Sequence, residues 1–566
     1  MKHLIQRIKQ KTVNANNHVW ITLLFAILIL PNIVVMFRSS DLSGNTAKQL
    51  EYFIFSSLLL LLPALFLKLR WYFIFESIFM LCAPFEIGYV WLYKSTVTDG
   101  FISSVLNTNV GEAAELLLTM KWQCLSLLLV WTGYFVTVFK KIKNSYLFTG
   151  RFSVLAGLTA VLFNLSVFGK IYATEYKDNK QAKMKNVRED FIDNYKKTYP
   201  CNMITLLARK YDHHVTLKNM PGNIASFSYH AKKSPPLPDR ETYVVVIGES
   251  ARYGNFSING YGRKTSPQLE KIKDLLTYSD VYATSNVTEF ALPLLLSRAT
   301  PLHFEKAYRE KTFADAFREA GFHTGWVANQ SGYHPYVKRI AKDIDRACFP
   351  SDEFETLENY DNKLLPCIDS LLNENRQKTF LVVHTLGSHF RYNFRYPKLF
   401  EKFTPALEGT NDYAIVSDKN RELFTNTYDN SILYTDYILS EIIGKVASRQ
   451  GVSAVLYISD HAENLYDHGQ NTVLHGSKTP PVPEIHVPLF IWTSPAYRDA
   501  YPGKQHALEA NRDKKISASN IFHSILDMAD IHYPGETPGK SIASDRFRED
   551  SIRHVYTANK EVIHFQ

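Results

Sequence analysis

Residues 244–256, VVVIGESARYGNF, set an apolar, β-branched run against one carboxylate, Glu249, placed where the run stops. Two further runs end on groups of the same kind. FLVVHTLGSH reaches His384 and His389, and AVLYISDH ends on Asp460 and His461. Carboxylates and imidazoles suit zinc, which accepts mixed N and O donors in a tetrahedral site. Each group alone has an ordinary alternative: Glu249 as a solvated loop residue, a lone strand-end histidine as a hydrogen-bonded structural group. Adjacent Asp460 and His461 carry more weight, because one buried strand then brings two ligands to one sheet edge.

A zinc-assisted displacement also needs a nucleophile, and TSNVTEFALPLLLS supplies Thr284, Ser285, Thr288 and Ser297. Thr288 stands before the apolar run FALPLLL, at the mouth of a helix predicted there. A helix N-terminus favours developing negative charge, and zinc lowers the pKa of an oxygen it coordinates. The same position suits an ordinary N-cap, and Ser285 is the nearest rival hydroxyl.

The elements that must position these groups follow from periodicity. YVVVIG, TGWVA, TFLVVHTLG, SAVLYISD and VPLFIWTS read as strands buried on both faces, and helical patterns at 308–320, 362–374 and 430–446 lie between several of them. This alternation predicts an α/β sandwich with a largely parallel central sheet, whose ligands sit at the carboxyl ends of the strands. The N-terminal third is different. Almost uncharged runs at 19–37, 53–67, 71–93, 122–139 and 153–173 lie mostly near the roughly 20 residues that cross a bilayer, which predicts a five-helix transmembrane bundle. Tyr52, Trp71 and Trp122 sit where interfacial aromatics belong. The basic N-terminus, KLR and KKIKNSYLFTGR mark the inner face, so five crossings put the chain after residue 174 outside, in the periplasm of a bacterium. The first run lacks a small-residue cleavage site and reads as a retained anchor. The expected division is a membrane domain at 1–174, surface helices and a proline-stiffened linker at 175–240, and a catalytic domain at 241–566.

The net charge of +9 is spread without a dense Lys/Arg block or nucleic-acid motif, which excludes nucleic acid as a partner and favours anionic lipid headgroups. Cys82 and Cys124 fall in spans. Cys201, Cys348 and Cys367 lie outside, where oxidation is permitted, and a Cys348–Cys367 bridge is one expectation that spacing does not fix. Glu76 and Glu86 stand inside the third span, where an ionisable group suggests function, but the residues assign them no role.

Taken together, VVVIGESARYGNFSINGYGRKTSP, HTLGSH, YDNSILYTD and SDHAENLYDHG behind five spans resemble the membrane-bound phosphoethanolamine transferases of the alkaline phosphatase and sulfatase superfamily. The resemblance implies transfer of phosphoethanolamine from phosphatidylethanolamine to lipid A or another lipopolysaccharide or envelope glycan acceptor, at the bacterial inner membrane. It implies a tightly bound zinc at Glu249, Thr288, Asp460 and His461, with Thr288 as the covalent acceptor. His389 and His475 match histidines that contact the transferred phosphate or a second zinc. Thr108 and Glu112, in NTNVGEAAELL, match polar residues that meet the ethanolamine headgroup, and His334 falls where relatives carry a phosphate-binding lysine. Ser104 and Ala462 depart from the family's Asn and Gly, and no cysteines flank Thr288. A phosphoglycerol transferase shares the plan, but NTNVGEAAELL points to ethanolamine. A sulfatase activity would need C/S-x-P-x-R, absent at each cysteine and at Ser297. A non-enzymatic sensor or scaffold would need a broken metal site, and all four ligand positions are filled.

Overall fold

In the computed structural model the apolar runs form a seven-stranded sheet. In chain order its strands are β1 (Glu241–Gly248), β2 (Leu276–Tyr278), β3 (His323–Ala328), β4 (Arg346–Cys348), β5 (Lys378–His384), β6 (Val452–Ser459) and β7 (Leu489–Thr493). The structure describes residues 2–39, 45–97, 121–147, 150–179, 199–208, 226–233, 240–330, 335–350, 358–409, 418–467 and 473–566, with isolated residues between them. The described chain divides into two units, one within Met1–Val97 and Met120–Tyr211, the other containing Asp212–Gln566.

The strand order is β2-β7-β6-β1-β5-β3-β4. Strands β6, β1, β5, β3 and β4 run parallel, whereas β7 is antiparallel to both β6 and β2. The sheet is therefore mixed, where a largely parallel one was expected. VPLFIWTS is apolar on both faces, and such a run reads the same in either direction.

Side chains alternate across β1 with period 2. Tyr243, Val245 and Ile247 pack with helices Phe313–Glu319 and Asn520–Met528. Val244 and Val246 pack on the opposite face with Leu364–Asn373 and Arg421–Ala447. Helices thus cover both faces, which is why β1 is buried along all eight residues. A disulfide joins Cys348 on β4 to Cys367 on the helix beneath it. Packing begins ahead of Glu241: Tyr229 and Ala231 are buried in the core, Lys232–Lys233 pair with Ile531–His532, and buried Lys233 meets Glu241 Oε2 at 3.0 Å.

The N-terminal unit contains helices Lys2–Arg38, Thr46–Leu61, Leu69–Tyr93, Lys121–Lys140 and Gly150–Asn179. Among the described residues three segments are long and apolar enough to cross a membrane: His18–Arg38, Leu69–Trp91 and Lys121–Lys140. Gln49–Leu65 and Val161–Ala173 are shorter apolar helices. Of the five expected spans, three meet that length and composition among the described residues. In the second run Pro63 falls where the α-helix tightens into a 3₁₀ turn at Leu62–Leu65, because proline lacks the N–H that an α-helix needs. Glu76 and Glu86 are buried inside this unit, and Glu86 Oε2 accepts from Asn202 Nδ2 at 2.8 Å.

Candidate active site

The register of the parallel strands builds the site. Gly248 of β1 lies opposite Ser459 of β6, so the next residues, Glu249 and Asp460, leave the sheet side by side. Both are buried, as is His461, and one ligand atom from each lies within 4.8 Å of the other two. His461 Nε2 is 3.3 Å from Glu249 Oε1 and 3.5 Å from Asp460 Oδ2. The Thr288 hydroxyl completes the group, donating to Glu249 Oε2 at 3.2 Å and lying 3.1 Å from His461 Nε2. Thr288 is the first residue of helix Thr288–Leu296, and the capping position belongs to Val287. Its hydroxyl thus faces the carboxylates while the helix N-terminus adds positive potential beside it. Ser285 Oγ accepts from Val287 N–H at 3.4 Å, and Ser297 Oγ donates to Pro293 O at 2.7 Å.

Several groups orient these side chains. Ser250 adopts a left-handed conformation, φ 57°, which costs a non-glycine residue energy and recurs at functional sites. Its Oγ donates to Glu249 Oε1 at 2.8 Å, and its N–H donates to Asp460 Oδ1 at 3.3 Å. Ser250 O in turn accepts from Tyr428 Oη at 2.7 Å, which places YDNSILYTD beneath the site. Gln330 Nε2 donates to Glu249 Oε2 at 3.0 Å. His461 Nδ1 lies 3.0 Å from Ala462 O, the geometry for N–H donation, and this turns Nε2 toward the carboxylates. Gly387, at φ 48°, passes so close behind Glu249 that a Cβ there would stand 2.8 Å from Glu249 O.

Among the described residues Asp460 Oδ2 is buried without a well-formed hydrogen bond, lying 3.5 Å from His461 Nε2, and such a buried acceptor calls for an explanation. A divalent cation supplies one. Two carboxylates, an imidazole and a hydroxyl are a donor set that zinc accepts. The electrostatics agree. Burial and the Glu249 charge push the Asp460 carboxyl up to about 7. Burial opposes ionisation of Glu249, yet the His461 hydrogen bond and charge hold it below the usual carboxylate range. Burial opposes protonation of His461, yet Asp460 and Glu249 push it up to about 10. Burial also pushes Glu463 up to about 8. Such a buried concentration of carboxylate is what a bound cation neutralises.

His475 packs against His461, ring centroids 4.0 Å apart and planes tilted by 44°, with Nδ1 2.9 Å from Glu463 Oε1. Burial and the His461 charge push it down to about 3. Half-buried His389 helps to lower the Glu249 carboxyl through its charge. His384 turns instead to Trp326, edge to face at 6.3 Å. Thr108, Glu112 and His334 lie outside the described residues. Sequence reasoning passed over Ser250, Gln330 and Glu463. A Ser directly after the strand-end Glu was the available signal for the first; Gln330 carries none.

A helix-covered sheet whose strand ends gather a carboxylate–imidazole cluster around a helix-mouth threonine is an α/β architecture with a donor set suited to a divalent cation. The sulfatase family profile matches residues 241–531, and the chain belongs to that family. It is similar to phosphoethanolamine transferase EptA of Escherichia coli (strain K12), 25% identical over 470 residues that cover 80% of this chain and 82% of the relative. The crystal structure of the C-terminal periplasmic domain of EcEptC from Escherichia coli, in complex with Zn, superposes with a TM-score of 0.53 at 25% identity, covering 59% of this chain and 94% of that one. The integral membrane protein lipooligosaccharide phosphoethanolamine transferase A (EptA) from Neisseria meningitidis shares the fold, TM-score 0.72 at 22% identity over 92% of this chain and 98% of that one.

Proposed function

We propose that this protein is a phosphoethanolamine transferase that takes the group from phosphatidylethanolamine, holds it on Thr288 and passes it to lipid A or another envelope glycan. The observation that carries this reading is the Thr288 hydroxyl, 3.2 Å from Glu249 Oε2 and 3.1 Å from His461 Nε2 at a helix N-terminus. The names of the relatives, phosphoethanolamine transferases over about four fifths of the chain, support the choice of group.

In the first half-reaction Thr288 Oγ1 attacks phosphorus, the Oγ1–P bond forms, and the P–O bond to diacylglycerol breaks. In the second, an acceptor oxygen attacks the same phosphorus and Thr288 is released. Splitting one displacement into two is the gain of covalent catalysis. Glu249, Asp460 and His461, with Thr288, are the residues that would hold one zinc. Zinc there would supply Lewis acidity, lowering the pKa of the hydroxyl and neutralising charge on the phosphoryl group. His475, kept neutral, and His389 face the transferred phosphate in this reading. By their resemblance to the family's positions, Thr108 and Glu112 are assigned to the ethanolamine headgroup and His334 to the phosphate.

The membrane domain at 1–174 crosses five times with the N-terminus inside, and residues 175–240 lead to a periplasmic catalytic domain at 241–566. The basic inner segments and the two shorter apolar helices, Gln49–Leu65 and Val161–Ala173, support this arrangement. Mass spectrometry of envelope lipids and glycans from cells with and without the gene tests the function. One species should gain the mass of phosphoethanolamine only when the gene is present; identical profiles would overturn the reading.

A further inference from the structure

A buried amide helps hold, from behind, the loop that delivers Thr288 to the candidate cation site. Asn286, two residues before Thr288, is fully buried. Its Nδ2 donates to Glu484 Oε1 at 2.7 Å and to Ser477 O at 2.8 Å, while its Oδ1 accepts from Ala558 N–H at 3.0 Å. A backbone N–H only donates and a carbonyl only accepts, so these partners fix the orientation of the amide. Glu484, equally buried, accepts from Ser477 N–H at 3.0 Å and Ser477 Oγ at 2.6 Å. Its own carbonyl accepts from Ala462 N–H at 3.0 Å. The two side chains therefore join the segment carrying Thr288, the segment carrying His475 and the C-terminal hairpin Arg553–Phe565, and the Glu484 backbone adds the residue after His461. That hairpin lies beyond the residues matched by the family profile, and it also meets the loop through Tyr556 N–H and Thr284 O at 2.8 Å.

We infer that Asn286 and Glu484 are a positioning pair, setting the attacking hydroxyl against His461 and the His475 side of the pocket without touching substrate or metal. The inference rests on the transfer reaction proposed above. Reacting atoms must meet at near-attack distance, and a misplacement of about 1 Å can cost on the order of a hundredfold in rate. Asn286→Asp keeps the shape but turns a donor into an acceptor facing Glu484 Oε1 and Ser477 O. Glu484→Leu keeps comparable bulk but removes both oxygens, leaving Asn286 Nδ2 and Ser477 N–H without their shared acceptor.

The test uses full-length protein in detergent and measures diacylglycerol release from phosphatidylethanolamine, turnover of a chromogenic phosphodiester, zinc content and unfolding midpoint. Each single variant, assayed where it is fully folded, should lose roughly ten- to a hundredfold in kcat with KM and zinc content unmoved and the unfolding midpoint lowered by the broken buried hydrogen bonds. The double variant should lose no more than the larger single loss, because residues acting as one unit are not additive. Unchanged kcat overturns the inference. So does a loss of kcat that tracks zinc or folded protein in both variants, which would make the pair structural. Wild-type protein that turns over the chromogenic ester but releases no diacylglycerol would sink the transfer reading, while the ratio of variant to wild type on the ester still decides the inference.

Discussion

Ser250 offers a way to separate metal affinity from backbone strain at one position. Its hydroxyl donates a charge-assisted hydrogen bond, 2.8 Å to Glu249 Oε1, in a fully buried setting. A hydrogen bond to a charged group contributes about 1.5–3 kcal/mol. Groups that orient a metal ligand in this way are worth roughly ten- to a hundredfold in metal affinity. Ser250→Ala removes the hydroxyl and keeps the left-handed φ of 57°, whereas Ser250→Gly removes the hydroxyl and relieves the strain, about 1–2 kcal/mol for an L-residue. Zinc affinity, read by competition with a chromogenic chelator, should therefore fall in both variants by the same ten- to hundredfold factor. The unfolding free energy of the zinc-stripped protein should be higher for Ser250→Gly than for Ser250→Ala by about 1 kcal/mol. Zinc affinity unchanged in Ser250→Ala would refute the reasoning, because Glu249 would then be held without its partner.

Asp460→Ala removes the proposed ligand that follows β6 directly before His461, and metal analysis should find the purified protein stripped of zinc; full occupancy would contradict the assignment. A reporter active only in the periplasm should work when fused near Lys177 and fail when fused within KKIKNSY, and the reverse pattern would refute the orientation. His523, 2.9 Å from Tyr533 Oη, is pushed down to about 4 by burial and by the Lys540 and Arg298 charges. Below 6.5 the unfolded chain takes up a proton that the folded one refuses, so stability falls as pH drops from 6.5 toward about 4. Denaturant melts of His523→Gln across that window should show a flatter pH dependence than wild type.

The strand ends were legible because each is an uninterrupted apolar run stopped by a polar residue of metal-binding type. Glu249, Asp460 and His461 were nominated on that signal, each with an ordinary alternative, and became one ligand set through the family resemblance. Their adjacency was not legible, since it depends on the register pairing Gly248 with Ser459, and chain positions more than 200 residues apart carry no local mark of that pairing. The direction of β7 was hidden for a related reason: burial on both faces erases the alternation that would tell a solvent side from a core side. Thr288 could be nominated but not separated from an N-cap until the helix was seen to place Val287 at the cap. Gln330, Asn286 and Glu484 were silent because an amide or carboxylate that orients another side chain differs in sequence from a solvated one in no respect. In the membrane unit, hydropathy marked every apolar run, but Pro63 shortens the second helix in a way that a window average smooths over.

The covalent step tests the account most directly. Full-length protein incubated with phosphatidylethanolamine and no acceptor, then digested and analysed by mass spectrometry, should carry a phosphoethanolamine adduct on Thr288 while diacylglycerol is released. Thr288→Ala should lose both, and Ser285→Ala should keep both. An adduct mapped to Ser285, or normal transfer by Thr288→Ala, would contradict the assignment of the nucleophile.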